Sequence, residues 1–206
     1  MKVVLDSNSS NAFLNLLRKV LRSRLPSARP IAFKVGSVCD VCNTADSVEE
    51  DMSEFISNVS SSFFAMNEDS ELAVYTCSVN GTLSLAGESS ELAASGVTVL
   101  DLGTDEVLHT LSPVPVTIYF RRAPGRFTAR ENEEFLAGKG VDTSELIIIN
   151  SRHCPIKNLT YEEVDQYDGK TEYNFSLETD GSITSENAVA SALNLIAADS
   201  RSLLLS

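Results

Sequence analysis

The sequence predicts an α+β fold in which one domain is built from both ends of the chain and a β-rich domain is inserted between them. Three observations carry that expectation. One amphipathic helical pattern opens the chain and another closes it. Between them, from residue 72 to residue 120, short β-rich runs alternate with glycine-containing or polar stretches. With 43% hydrophobic residues over 206 positions, the chain has enough apolar material to bury a real core.

Asp6 to Asn11 is a run of residues that favour turns and helix N-caps. Phe13, Leu16, Leu17, Val20 and Leu21 then recur at helical spacing, and basic residues crowd the last turns, where they complement the negative end of the helix dipole before Pro26 stops it. Ile31 to Val35 alternates like a half-buried strand. Glu49 to Val59 reads as a second helix, with Met52, Phe55, Ile56 and Val59 on one side and acidic residues at its start.

Leu72 to Cys77, Gly96 to Leu100, Val107 to Leu111 and Val114 to Phe120 read as strands, and Pro124-Gly125 marks a loop. Arg130 to Ala137 is a surface segment or short helix. Leu146 to Ile149 fits a buried strand. Leu159 to Gln166 and Glu172 to Thr179 form a hairpin around Tyr167 to Lys170, because Asp-Gly tolerates positive φ. After a second turn at Asp180-Gly181, Thr184 caps a final helix whose apolar face is Ala188, Val189, Ala192, Leu193 and Ile196.

A net charge of −13 argues against a surface that grips phosphates. The sequence shows neither a secretory leader nor an apolar run able to cross a bilayer, so a soluble, cytoplasmic protein without membrane contact is expected. Cys39 and Cys42 form a single C-x-x-C. Metal binding there would need His153 and Cys154 brought close, and with no second such motif the cysteines read as unligated. Glu162 and Glu163, adjacent on a strand, would point to opposite faces and cannot converge on one substrate. With no phosphate-binding or nucleophile motif either, no catalytic residue, metal or cofactor is expected.

Arg18, Lys19, Arg22 and Arg24 form a local basic cluster, which is either a solvated helix face or a docking surface. The apolar sides of the two terminal helices pose a similar choice. Phe13, Leu16, Leu17, Val20 and Leu21, with Val189, Ala192, Leu193 and Ile196, are too apolar to stay exposed together, and they serve either an ordinary core or a dimer seam.

The order of motifs resembles the alpha subunit of bacterial-type multisubunit DNA-directed RNA polymerase. Asn15 to Leu21, followed by Pro26, is similar to that family's N-A-L-R-R-V-L and proline. Ser47 to Phe55 resembles G-V-x-E-D-x-x-E-I, and Gly81 through Glu88 resembles V-T-A-x-D. Cys154 to Tyr161 with Val164 is similar to S-P-V-x-x-V-x-Y-x-V, and Leu177 to Thr184 with Glu186 and Ala188 resembles E-x-x-T-D/N-G-T/S-I-x-P-E-E-A. There are departures. Leu14 stands where the family has glycine, Lys19 where it has arginine and Arg22 where it has an apolar residue, while Arg122 to Ala129 only partly echoes R-G-R-G-Y-V-P-A.

The resemblance implies an antiparallel-sheet dimerisation domain from residues 1–36 and 149–206, and an inserted β-rich domain from 37–148. It also implies a non-catalytic homodimeric scaffold, paired through the terminal helices, that recruits the beta and beta-prime subunits. Its basic docking positions fall on Arg18 and Lys19, with Arg22 one turn farther along. Many alpha subunits continue into a linker and a helical DNA-binding domain, which this sequence does not include. The alternative is a homodimeric interaction protein that keeps the fold without the polymerase.

The charge balance yields a first prediction. In a fluorescence-anisotropy titration the 206-residue chain should show no submicromolar, salt-sensitive affinity for duplex DNA; such binding would overturn the reading of the acidic surface.

Overall fold

The computed structural model describes residues 2–6, 10–37, 47–165 and 170–204. Its contacts divide the chain into two compact units, Met1–Pro26 with Cys154–Ser206, and Ser27–His153.

The first unit joins the two chain ends. Strand β1 (Lys2–Asp6) pairs antiparallel with β10 (Lys170–Thr179), which pairs antiparallel with β9 (Ile156–Asp165), and helices α1 (Ser10–Ser23) and α5 (Ser185–Leu204) complete the unit. Leu159 faces Leu177 and Tyr161 faces Phe175 across the β9–β10 pair. Alternation along β10 sends Tyr173 and Phe175 into the core. The expected turn at Tyr167 to Lys170 lies outside the described residues except for Lys170 itself, where β10 begins.

Leu14, Leu17, Val20 and Leu21 of α1 meet Ala188, Val189 and Ala192 of α5 in one cluster with Leu159, Tyr173 and Phe175. The entry to α5 is fixed locally. Buried Asp180 accepts from the Ser182 amide at 2.9 Å, Gly181 takes the positive φ of 92° that the turn needs, and the Thr184 hydroxyl accepts from the Asn187 amide at 3.3 Å as an N-cap.

The second unit is built on an antiparallel sheet with strand order β4 (Leu72–Ser84), β6 (Glu106–Phe127), β2 (Pro26–Val35), β3 (Phe63–Met66), β5 (Val97–Asp101). Two short strands extend it: β7 (Ile147–Ile148) pairs with β2, and β8 (Ser151–His153) pairs with β6. Helices α2 (Met52–Ser61), α3 (Ser89–Ala94) and α4 (Ala129–Gly138) accompany the sheet. Inside the main core cluster Phe33 packs edge-on against Phe55 at 5.5 Å, and Phe64 packs tilted against Phe120 at 4.9 Å.

Several elements differ from the sequence expectation for identifiable reasons. Strand β2 starts at Pro26 and joins the second unit, whereas the reading of the sequence carried the terminal domain to residue 36; at the other boundary the units divide after His153 rather than after residue 148. Helix α2 starts at Met52, not Glu49, because Asp51 is the cap that accepts from the Glu54 amide at 2.7 Å. Glu50 lies outside that helix and binds His109, taking the His109 backbone amide at 2.7 Å and pairing with the ring. Burial opposes the charge on Glu50, but its hydrogen bonds from His109 outweigh that and hold its carboxyl below the usual range. The same carboxylate raises the His109 imidazole above its ordinary value.

The two strands expected at Val107 to Leu111 and Val114 to Phe120 are one, the 22-residue β6. Proline interrupts a ladder because it has no N–H to donate. Here Pro113 falls in the gap between the pairs Gly81↔Thr110 and Val79↔Val114, where the register shifts and β4 requires no donor from it. Pro124-Gly125 likewise sits within β6 instead of a loop. Gly125 has φ 93°, and β8 captures this strand end by pairing with Gly125, Arg126 and Phe127.

A buried polar chain ties β6, α4, β8 and β2 together. The Arg121 guanidinium lies 3.8 Å from the Phe127 ring centre and 4.1 Å from that of Phe135, and donates to Asn132 Oδ1 at 3.1 Å. Asn132 Nδ2 donates to Ile149 O at 2.8 Å and to Ser151 Oγ at 3.0 Å. Ser151 meets His153 Nε2 at 2.9 Å, and His153 Nδ1 donates to Ser27 O at 2.9 Å. Such a chain is stable only when each member is satisfied.

Burial, reinforced by the charges of Arg121 and Arg29, pushes His153 down to about 4, against the opposing hydrogen bond to Ser27. A histidine depressed below its unfolded value contributes stability that is fully present above about pH 6.5 and lost as pH falls through about 4. Urea unfolding monitored between neutral pH and pH 4 should therefore show a loss in the parent that His153→Gln lacks. Parallel profiles for the two proteins would show that His153 does not titrate as its burial demands.

Candidate interaction surfaces

The sequence-predicted interface residues lie on α1 and α5, and the structure sorts them by exposure. Leu17, Val20, Leu21, Val189 and Ala192 are buried in the first unit's own core, and Phe13 and Ile196 pack at its edge. Leu16 and Leu193 remain 44% and 41% exposed. The helical repeat explains the split, since α1 turns Leu14, Leu17 and Leu21 along one side and carries Leu16 toward another. Of the two roles open to these faces, ordinary core describes the buried residues, and the apolar surface left for a partner is that of Leu16 and Leu193.

Leu14 was not among the predicted interface residues, yet it is 1% exposed. Its signal was present in the sequence, three residues before Leu17 on the same helical side. Ala188 is fully buried against the same cluster. Small residues at the inner face of α5 let the helix approach α1 closely.

The basic residues of α1 also separate. Arg18 and Lys19 are exposed, and Arg24 forms an ion pair with Asp199 of α5. Arg22 is half-buried, and its Nε is shielded from solvent with no hydrogen-bond partner. A shielded guanidinium nitrogen without an acceptor is costly, so Arg22 is not simply a solvated charge. The wall at the α5 entry is a concave patch of about 280 Å³ lined by Leu159, Phe175, Leu177, Ser185 and Val189 among others.

The remaining candidates do not assemble into a chemical centre. Cys39 and Cys42 lie outside the described residues. Both ring nitrogens of His153 are engaged in the second unit, and Cys154 Sγ, buried in the first, lies 3.6 Å from Ile156 O. No group of three or more His, Cys, Asp or Glu side chains that could hold a metal ion occurs among the described residues. Glu162 and Glu163 are both exposed on β9. Within the described residues no helix is long and apolar enough to cross a membrane.

These features define an α+β interaction module whose first unit is closed by helices from opposite ends of the chain. The chain belongs to the RNA polymerase Rpb3/Rpb11 dimerisation domain family, whose model matches residues 4–199. It is 32% identical over 196 residues to the DNA-directed RNA polymerase subunit alpha of Chlorobaculum tepidum, covering 88% of this chain and 55% of that protein. It is 28% identical over 188 residues to the alpha subunit of Aster yellows witches'-broom phytoplasma, covering 88% and 54%. Against that of Maridesulfovibrio salexigens it is 28% identical over 191 residues, covering 88% and 52%. The chain thus spans about half the length of the curated relatives it matches.

Removing core volume should cost far more than trimming the exposed leucine beside it. Leu17→Ala is expected to lose about 2–5 kcal/mol of unfolding free energy, and Leu16→Ala clearly less, by urea titration followed by circular dichroism. Equal losses would contradict the assignment of Leu17 to the inner face.

Proposed function

We propose that this chain is an alpha-type subunit of a multisubunit DNA-directed RNA polymerase, acting as a homodimeric scaffold for the beta and beta-prime subunits in the cytoplasm. The carrying observation is the family match across residues 4–199, supported by a first unit in which both chain ends form one core. The scaffold role asks for no active site, and catalysis falls to the larger chains.

Self-association on this reading uses the apolar surface left on α1 and α5, with Leu16 and Leu193 at its centre and Phe13 and Ile196 beside them. Leu17, Val20, Leu21, Val189 and Ala192 support that surface from within. Large-subunit docking uses exposed Arg18 and Lys19, with half-buried Arg22 one turn farther along, and a carboxylate from the large subunit would pair with this basic patch.

Leu17→Glu is a poor probe because it places a charge in the unit's own core. Leu16→Glu and Leu193→Glu are the informative changes. Each should shift the sedimenting species from dimer to monomer while leaving the circular dichroism spectrum intact. The parent, tagged in its own cell, should carry down beta and beta-prime identified by mass spectrometry, and Arg18→Ala with Lys19→Ala should reduce that recovery about tenfold or more, given 1.5–3 kcal/mol or so for a charge-assisted hydrogen bond. A parent that sediments as a small dimer with neither large subunit would favour a fold-retaining interaction protein instead.

A further inference from the structure

The edge of the second unit carries a charge arrangement that the alpha-type reading does not use. Arg126 of β6 and Arg152 of β8 are register partners in an antiparallel pair. Residues directly opposite in such a pair project to the same face, with Cβ atoms about 4.5–5.5 Å apart, and like charges there are destabilising. Their neighbours Ser151 and His153 are buried, so the pleat turns Arg126 and Arg152 outward, where both are exposed. In a chain with 29 acidic and 16 basic residues, two arginines held side by side call for an acceptor.

Two concave surfaces share Asn150, Ser151 and Arg152. One continues to Arg126, Thr128 and Glu131, and the other to Arg29, Pro30 and Ser60. Glu131 is the one carboxylate among the described lining residues, and its Oε2 accepts from the Thr128 amide at 2.7 Å and the Thr128 hydroxyl at 2.8 Å. Arg29 is held in place by Ser62 O at 3.1 Å and by stacking 4.3 Å from the Phe63 ring centre. In the same groove the Ser60 hydroxyl oxygen is shielded from solvent without a hydrogen-bond partner.

We propose that the Arg126–Arg152 pair, with Arg29 and Ser60 in the adjoining groove, is a docking surface for an acidic segment of a partner protein. Guanidinium forks match carboxylates in a bidentate geometry, and a segment with two or three carboxylates would relieve the cross-strand repulsion. A nucleic acid is the poorer occupant. It would extend its charge along the rest of a chain whose net charge is −13, whereas a short acidic segment needs only the local cations. The surface lies wholly within Ser27–His153 and stands whether or not the chain assembles with polymerase subunits.

The test uses the full chain and a short oligoglutamate peptide, with inorganic phosphate and single-stranded DNA as comparison probes. Arginine side-chain Nε–Hε resonances report contact, and calorimetry reports affinity. Oligoglutamate should shift the Arg126 and Arg152 signals, and Arg126→Gln or Arg152→Gln should each weaken binding about tenfold or more. Each variant should also unfold at a midpoint no lower than the parent's, because removing one arginine relieves the like-charge pair. Unshifted resonances, undiminished binding by both variants, or tighter binding of DNA or phosphate than of oligoglutamate would overturn the assignment. So would a lowered midpoint in both variants, since the pair would then be structural.

Discussion

The first unit depends on a contact between segments that are far apart in sequence. Leu14, Leu17 and Leu21 near one end and Ala188, Val189 and Ala192 near the other bury each other against β9 and β10. Neither apolar face finds its partners within its own helix, and most helical stability in proteins comes from such tertiary packing. Everything outward of that contact is a consequence. The exposed positions Leu16 and Leu193, the basic residues Arg18 and Lys19, and the Arg24–Asp199 pair are set by which sides of α1 and α5 the core has already consumed.

The second unit solves a different problem. Its longest strand must pass Pro113 and Gly125 and still hold neighbours along its length. Pro113 falls at a register shift, Pro115 pairs opposite Ser78 with its carbonyl accepting from the Gly36 amide at 2.9 Å, and Gly125 lies where β8 begins to pair. Thr110 reinforces the shift: its hydroxyl accepts from the Gly81 amide at 3.1 Å and lies 3.2 Å from Val79 O. Arg121, between two aromatic rings, anchors the polar chain that reaches Ser27.

Local patterns made much of this legible. The 3.6-residue spacing of α1, α2 and α5, the cap at Thr184 and the β9–β10 hairpin all follow from rules that act within a few residues. The larger misses are non-local. The continuity of β6 depends on the register of β4, and the three-residue β8 is a strand only because β6 passes beside it. The short helix α3 has too few turns to show a period. For the candidate surface, the sequence showed which residues are apolar or basic. It could not show that Leu17 faces the unit's own sheet while Leu16 does not, or that Arg126 and Arg152 stand opposite each other, because both facts are set by tertiary pairing.

The closure of the first unit by both chain ends also has a temporal side. Ribosomes deliver the chain N-terminus first, at about 5–20 residues per second. When α1 emerges, the strands and the helix that will cover Leu14, Leu17 and Leu21 have not yet been made. Its apolar side therefore waits on the order of ten seconds for them. During synthesis the nascent chain presents an uncovered leucine-rich helix, and the first unit becomes a folded object only once α5 has left the ribosome.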